Sequence, residues 1–353
     1  MPLNPPWHGE GDHRSYDGGG AVEREGAVSG RSAPPPRLKR RGPPPRRRGG
    51  FKRFTLAVLS LVLATAAPYD PALQFARLPD GRRLAFRCVG ERSPTVIFEG
   101  GWAASSLAWT KVQRLVAPSN RACAYDRAGM GASDSGPDPR DGAAIARDLD
   151  DGLRALKIAG PFVVVGHSAG GLYVRLFADR RPADVAGMVL ADPSVEFQDK
   201  RMSAVFGPGA GSIASLRDRS AACAAAVVRR VPVPDLERLR CDPAIPASTY
   251  RTEAAEIDSL WTTTSDEIAA GRQSYGALPL IVLTAGDTNA SVPEPGRRAA
   301  DRVWAGLHTE IAERSTAGVR RTVEGSSHLI PKDRPDAIAA AIFEVVKAGK
   351  GPS

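Results

Sequence analysis

Three features of the sequence predict an α/β fold built on a doubly wound, mostly parallel sheet. From residue 68 onward, short β-branched runs alternate with stretches of helical period, which is the order of β-α units. Residues 162–165, Phe-Val-Val-Val, are wholly apolar, as is typical of a strand covered by helices on both faces. Glycine-containing turns follow several of the runs, so the chain can reverse into the next helix.

The predicted elements follow one another along residues 68–353. A turn at residues 79–81 joins an opening hairpin, and strands are predicted at residues 84–89, 95–98, 121–125, 162–165, 185–191, 280–283 and 319–323. Apolar side chains recur at helical spacing within residues 145–156, 172–177, 300–311 and 338–346. Residues 194–277 contain no strong strand. Because plain connections of that length are uncommon in compact domains, we expect a helical insertion or lid there.

The composition is that of a globular protein with a basic leader. The chain has 353 residues, 42% hydrophobic and 25% charged, and a formal net charge of +9. Residues 1–53 hold 12 Lys and Arg against 5 Asp and Glu, with many Pro and Gly, so we expect this leader to be disordered. The rest of the chain is nearly neutral. Because the basic run has few aromatic neighbours, nucleic-acid binding is not expected.

An apolar run follows the leader at residues 54–67. As a helix it would rise about 21 Å, less than the ~30 Å hydrocarbon core of a bilayer. Basic residues precede it, and Ala64-Thr65-Ala66 near its end is typical of the cleavage site of a secretory signal. We therefore expect export, with membrane anchoring through residues 54–67 as a second form of it. The alternative is a buried helix in a cytoplasmic protein.

Four cysteines are consistent with export, and they allow three pairings. Cys223 and Cys241 lie 18 positions apart in one irregular stretch, and we prefer this pair. Cys88 and Cys123 lie in two separate predicted strands. The alternative is that the cysteines are small buried hydrophobic residues. Their spacing matches no zinc pattern and no histidine lies near them, so no metal site is expected.

A Gly-x-Ser-x-Gly motif follows the apolar strand at residues 162–165 and precedes a predicted helix. Its flanking glycines permit a strained turn that lifts Ser168 above the sheet, as a nucleophile requires. The N–H of Ala169 then lies at a helix N-terminus, where negative charge is stabilised. The motif predicts a nucleophilic serine with one oxyanion donor beside it.

The chain contains five histidines, and four of them are poorly placed for a catalytic base. His8 and His13 lie in the leader, His308 lies inside a predicted helix, and His167 adjoins the nucleophile but is expected to point away from it. His328 follows a strand near the C-terminus, in the chain order nucleophile, acid, base. We therefore predict that His328 is the base.

The acid that orients this base has two candidates. Asp287 follows the strand at 280–283, the commoner place, but Gly-Asp-Thr-Asn is also typical of a plain turn. Asp192 follows the strand at 185–191 and could reach the same histidine from a neighbouring strand end, and we slightly prefer it. A second oxyanion donor is expected after residues 95–98, from the N–H of Trp102 or of its neighbour Gly101.

Together these motifs resemble the α/β-hydrolase superfamily, in its lid-bearing serine hydrolase form. They are carried by residues 98–102 (FEGGW), 125–134 (YDRAGMGASD), 166–171 (GHSAGG), 192–193 and 325–328. The resemblance implies an eight-stranded, mostly parallel sheet, a Ser-His-acid triad and no cofactor. There are two departures from the family pattern. Glu99-Gly100 stands where members often have His-Gly, and Asn289 stands where many carry the acid, so the oxyanion residue and the acid stay open.

The sequence thus predicts a serine hydrolase that cleaves an ester or related acyl bond of a small molecule through an acyl-enzyme. Serine at position 168 disfavours haloalkane dehalogenase and epoxide hydrolase chemistry, which in this fold usually employs an aspartate nucleophile. Peptidase, thioesterase, lactonase and perhydrolase activities are alternatives, and so is a protein of this fold that binds a ligand without turnover. The sequence indicates no oligomeric state.

Overall fold

An eight-stranded sheet forms the centre of the protein. The computed structural model describes residues 71–209 and 213–349, so the predicted leader (1–53) and apolar segment (54–67) lie outside the described residues. The strands are β1 (Leu73–Arg77), β2 (Arg83–Val89), β3 (Thr95–Glu99), β4 (Ala122–Tyr125), β5 (Phe162–His167), β6 (Val185–Ala191), β7 (Leu280–Ala285) and β8 (Gly318–Val323). Their order is β1-β2-β4-β3-β5-β6-β7-β8, with β2 antiparallel to both neighbours and the other pairs parallel. The predicted mostly parallel sheet is confirmed.

Helices cover both faces of this sheet. They are α1 (Thr110–Val116), α2 (Gly142–Ala155), α3 (Gly170–Arg180), α4 (Gln198–Phe206), α5 (Ala214–Val228), α6 (Val233–Arg238), α7 (Ala247–Leu260), α8 (Thr263–Ala270), α9 (Gly296–Ala312), α10 (Ile330–Asp333) and α11 (Pro335–Ala348). The four helical patterns found in the sequence correspond to α2, α3, α9 and α11.

The apolar strand β5 shows why the helices lie on two faces. Successive side chains of a strand point to opposite sides of the sheet. Phe162 and Val164 pack with side chains of α2, α3 and α9, whereas Val163 and Val165 pack with side chains of α1 and α11. A strand that is apolar at every position is therefore required in the middle of the sheet, and its carboxyl end is held firmly from both sides.

Between β6 and β7, the predicted insertion at residues 194–277 contains helices α4 to α8 in the part that the structure describes. One half of it has a small apolar core of its own around Cys223, Leu236 and Tyr250. The other half is seated on the main domain, where Leu260 and Ile268 pack with residues of α2 and α3. The insertion is thus attached to the helix that follows β5.

Two disulfides are present, and the described part of the chain contains no free cysteine. The predicted bond between Cys223 and Cys241 joins α5 to the chain after α6. The second bond joins Cys88 of β2 to Cys123 of β4, which face each other in the antiparallel register. No helix in the described ranges is both long and apolar enough to cross a membrane.

Candidate active site

Ser168 lies in a sharp turn between β5 and α3. Its φ is +52°, in the left-handed region that residues other than glycine rarely adopt. Its carbonyl oxygen accepts hydrogen bonds from the N–H groups of Gly171 and Ser194, each at 2.9 Å. Gly170 has to be glycine, because a Cβ there would lie 2.5 Å from the carbonyl oxygen of Gly100. The local sequence therefore specifies a strained turn that presents a half-buried serine at the carboxyl edge of the sheet.

His328 lies in the loop after β8, and its Nδ1 is 2.7 Å from Oδ2 of Asp192. Because an ionised carboxylate only accepts hydrogen bonds, Nδ1 carries a hydrogen and donates it, which leaves the lone pair of a neutral ring on Nε2. The side chain of His328 is 35% exposed, whereas that of Asp192 is fully buried. The ring is therefore oriented from one side by a buried carboxylate and accessible from another, as a general base requires.

Asp192 follows β6 and is surrounded by hydrogen-bond donors. Its Oδ1 accepts from the N–H of Ala285 at 3.0 Å and from Nε1 of Trp304 at 2.8 Å, and its Oδ2 accepts from the hydroxyl of Thr288 at 2.6 Å. Burial raises the pKa of Asp192, but the hydrogen bond and charge of His328, aided by Thr288, bring it down to about 2. Asp192 is therefore ionised at neutral pH although it is buried.

Asp287, the other candidate acid, lies in an exposed turn after β7. Its N–H donates to the carbonyl of Ser326 at 2.9 Å and its carbonyl accepts from Ala290 at 3.1 Å, as in a plain turn. Asn289 is buried and donates to Asp301 at 2.9 Å instead of facing the base. The structure brings Asp192, and not Asp287, against His328.

The two other histidines of the described residues bind backbone carbonyls near the site. Nε2 of His167 lies 2.8 Å from the carbonyl oxygen of His328, and the two rings are 4.8 Å apart. Nε2 of His308 lies 2.9 Å from the carbonyl oxygen of Pro193, and its Nδ1 lies 2.8 Å from Oγ1 of Thr284. Burial lowers the pKa of His167 to about 3 and that of His308 to about 4, so both rings are neutral at pH 7. No described group of three or more His, Cys, Asp or Glu residues could hold a metal ion.

The loop after β3 touches the turn that carries the serine. A Cβ on Gly101 would lie 3.2 Å from the Cβ of Ser168 and 3.0 Å from Nδ1 of His167. Trp102 packs against the apolar cluster that contains Ala169. Within the described ranges, the N–H groups of Ala169, Gly101 and Trp102 donate to no protein acceptor. These three groups are free to bind an oxygen atom of a ligand.

Sequence reasoning missed the side chains that support the acid. Thr288 stands next to Asp287 in the predicted turn, so a search for hydroxyl donors near the candidate acids could have found it. Trp304 lies inside α9, where a tryptophan at an apolar position indicates only packing. His167 and His308 were set aside as bases, and nothing in the sequence indicated which carbonyls they bind.

Comparison with known sequences points to one fold family. Residues 94–210 match the model of the α/β-hydrolase fold family. YqjL, an uncharacterized protein of Bacillus subtilis strain 168, is 25% identical over 261 residues, which cover 72% of this chain and 85% of YqjL. An AB hydrolase superfamily protein of Gibberella zeae is 35% identical over 109 residues, covering 30% of this chain and 34% of that protein. The chain thus spans most of one relative and about a third of the other.

Solved structures share the architecture over most of the chain. An esterase from Thermogutta terrifontis is 18% identical, with a TM-score of 0.54 over 79% of this chain and 99% of its own. The haloalkane dehalogenase DbeA from Bradyrhizobium elkani is 17% identical, with a TM-score of 0.58 over 80% of this chain and 100% of its own. The strand order, the serine turn and these matches together show that the chain has the α/β-hydrolase fold.

Proposed function

We propose that the protein is a serine hydrolase that cleaves an ester or related acyl bond in a small-molecule substrate. One observation carries the proposal. Ser168 stands on the strained turn after β5, its neighbour His167 packs on His328, and His328 makes a 2.7 Å hydrogen bond to Asp192. A nucleophilic serine on a strained turn and a histidine oriented by a buried acid are groups that acyl transfer requires.

In the proposed reaction, Oγ of Ser168 attacks the acyl carbon while Nε2 of His328 takes the serine proton. His328 returns this proton to the leaving group as the acyl bond breaks, which leaves an acyl-enzyme. A water molecule, deprotonated by the same nitrogen, then attacks the acyl carbon and releases the carboxylic acid and Ser168. Asp192 holds the ring and stabilises its positive form, since its pKa of about 2 keeps it ionised throughout.

The developing oxyanion is bound by backbone N–H groups. One is that of Ala169, which stands at the N-terminal end of α3, where the helix favours negative charge. The second belongs to Trp102 or Gly101, whose N–H groups donate to no acceptor in the described part of the protein. A donor of this kind typically lowers the barrier by about 3–4 kcal/mol.

The choice of serine chemistry rests on the residue at position 168. Solved structures of the same fold include a haloalkane dehalogenase and an epoxide hydrolase. The resemblance to the family implies that such chemistry usually employs an aspartate nucleophile, whereas this chain has Ser168. Peptidases, thioesterases and lactonases share the acyl-enzyme route with esterases. We propose esters as the substrate class and keep these other acyl substrates as alternatives. An acyl-chain-length screen on chromogenic esters would identify the preferred acyl group.

A fluorophosphonate probe tests this proposal directly. We expect the wild-type protein to be labelled and Ser168→Ala to remain unlabelled. Ser106→Ala is the matched control, because Ser106 is also buried and its hydroxyl has no partner among the described residues. It should label as the wild type does. An unlabelled wild type would favour the ligand-binding alternative, and equal labelling of Ser168→Ala would reject the assigned nucleophile.

We also propose that the protein is exported. Two disulfides in the described domain persist best in an oxidising compartment. The basic and apolar pattern that ends at residue 67 adds support from the sequence. Cell fractionation, with non-reducing peptide mapping of the recovered protein, is expected to find it outside the cytoplasm with Cys88–Cys123 and Cys223–Cys241 linked.

A further inference from the structure

Arg127, shortly after β4, uses all five of its guanidinium N–H groups inside the protein. Nε and Nη2 donate to the two oxygens of Glu256 at 2.9 and 3.0 Å, and Nη1 donates to Oε1 of Glu99 at 2.8 Å. The remaining two reach the main chain, where Nη1 donates to the carbonyl of Gly100 and Nη2 to that of Gly101, both at 2.8 Å. With every donor engaged, the planar guanidinium has a fixed position.

The two carbonyls that Arg127 binds belong to the loop after β3, residues 100–102, which we call the oxyanion loop. The carbonyl of Gly100 shares a plane with the N–H of Gly101, and the carbonyl of Gly101 shares a plane with the N–H of Trp102. In a trans peptide the carbonyl and the N–H point in opposite directions. Holding the two carbonyls therefore sets the direction of the two N–H groups that are candidates for the second oxyanion donor.

The same contacts attach this loop to the insertion. Glu256 lies on α7, and its carboxylate binds Arg127 through both oxygens. A second, parallel link exists, because Nε1 of Trp102 donates to the carbonyl oxygen of Glu253, also on α7, at 2.9 Å. The position of the loop therefore depends on α7 through two separate contacts.

The contacts between the oxyanion loop and α7 include charged side chains that are shielded from solvent. Arg127, Glu99 and Glu256 are all buried. Removing one member of such a group leaves an uncompensated buried charge, so some loss of stability is expected of any variant. Charge balance alone does not account for two N–H groups directed to the loop carbonyls instead of to carboxylates. Those two bonds locate the loop.

We propose that Arg127 is a positioning residue for oxyanion binding and that Glu256 of the insertion is its anchor. The proposal rests on the proposed serine hydrolase function. Arg127 does not touch the reacting atoms, and it acts by fixing the peptide units of Gly100 and Gly101. The insertion then helps to determine the rate of the chemical step and not only which substrate enters.

Glu256→Gln and Arg127→Lys test the proposal. We expect kcat for a chromogenic ester to fall about 10²–10³-fold in both, as for loss of one oxyanion donor, with KM changing less than about 3-fold. Inhibition by a boronate, which forms a tetrahedral adduct, should weaken by a similar factor. Hydrogen exchange at Ala104, whose N–H donates to the carbonyl of Gly101 at 3.2 Å, should become faster, a measurement that needs no turnover.

Asp148→Asn is the matched control. Asp148, on α2, also holds a buried arginine, Arg140, at 3.0 Å, but it makes no contact with the oxyanion loop. It should lower Tm without changing kcat or exchange at Ala104. If Glu256→Gln and Arg127→Lys behave like this control, the positioning role is rejected.

Two further outcomes distinguish failure of this proposal from failure of the variants to fold and from failure of the proposed hydrolase function. If both variants fail to fold, Glu256→Asp, which keeps the charge but shortens the reach of the carboxylate toward Arg127, should still speed exchange at Ala104 and lower kcat about 2–10-fold. Unchanged exchange in Glu256→Asp would then reject the proposal. A wild-type protein that fluorophosphonate does not label would contradict the proposed function instead, and the exchange comparison would still decide whether Arg127 positions the loop.

Discussion

Two buried carboxyl groups, one on each side of the candidate site, have opposite pKa shifts. The hydrogen bond and charge of His328, aided by the hydroxyl of Thr288, lower the pKa of Asp192 to about 2 despite burial. Glu253 belongs to α7, next to the oxyanion loop, and its carboxylate accepts from the hydroxyl of Ser220 at 2.8 Å. Burial, with the charge of Glu256, raises its pKa to about 7. Both groups are buried, so the difference comes from their partners: a histidine favours the ionised form of Asp192, and the negative charge of Glu256 disfavours that of Glu253.

The difference matches what each side has to do. The base needs a permanent anion beside it, so the protein surrounds Asp192 with donors. The oxyanion loop needs to be fixed without added negative charge, since an anion there would oppose the oxyanion. Burial keeps Glu253 neutral over part of the physiological range. The single positive charge of Arg127 is shared between Glu256 and Glu99, and burial also raises the pKa of Glu99.

Asp192→Asn gives the largest expected effect. Asparagine keeps an oxygen that can accept from Ala285 and Trp304, but its amide group faces His328 and favours the wrong tautomer of the ring. We expect kcat in a chromogenic ester assay to fall about 10⁴-fold with the fold retained. The matched variant Asp287→Asn changes an exposed turn and should stay within about 2-fold of the wild type. The opposite pattern would reassign the acid to Asp287.

Trp304→Phe is expected to give a smaller loss of activity than Asp192→Asn. It removes one donor from Asp192 and keeps the aromatic ring. Losing a hydrogen bond to a buried charge costs about 1.5–3 kcal/mol, so we expect a lower free energy of unfolding and a fall in kcat of about 10-fold.

Trp109→Phe is the control for this prediction. Trp109 is as deeply buried, but its Nε1 has no partner among the described residues, so the same change removes no hydrogen bond. Both variants are compared by thermal unfolding and by kcat. If Trp109→Phe loses as much activity as Trp304→Phe, packing and not the hydrogen bond to Asp192 explains the effect.

The sheet, the strained serine turn and the loop position of His328 could be predicted because each leaves a local pattern in the sequence. A strand buried on both faces must be apolar at every position, as residues 162–165 are. The turn after it needs glycine at positions 166 and 170, two residues before and after Ser168, because a Cβ at either position would clash with the main chain. His328 was identified because the other four histidines lie in places that do not suit a base.

Local sequence patterns could not predict which aspartate contacts His328, nor that Arg127 and Glu256 hold the oxyanion loop. Asp192 and Asp287 both follow parallel strands whose ends meet at one edge of the sheet, so sequence position alone does not say which one faces His328. The choice depends on Thr288 and Trp304, which are 96 and 112 positions from Asp192 in the chain. Arg127 is likewise separated by 129 positions from Glu256. Such pairs form only through tertiary packing.

Glu253→Gln is expected to change turnover least, because the link from Trp102 uses the backbone carbonyl of residue 253. Its effect is on the pH dependence of stability. In the wild type the pKa of Glu253 rises from an ordinary 4.5 to about 7 on folding, so the folded state binds the proton more tightly. That contribution to stability is fully present below about pH 4.5 and is lost as the pH rises through 7. At about 1.4 kcal/mol per pH unit, the loss amounts to about 3 kcal/mol.

Urea unfolding of wild type and Glu253→Gln at pH 5, 6, 7 and 8 measures this directly. The free energy of unfolding of the variant, relative to that of the wild type, should rise by about 3 kcal/mol across this range. Asp258→Asn, at an exposed position of the same helix, is the control for loss of a carboxylate from α7. Asp192 acts with the opposite sign, since its lowered pKa contributes stability above about pH 4 that is lost only as the pH falls toward 2. If the free energy of unfolding changes with pH equally in the variant and the wild type, Glu253 is ionised in the folded protein. Its pKa shift would then not be opposite to that of Asp192.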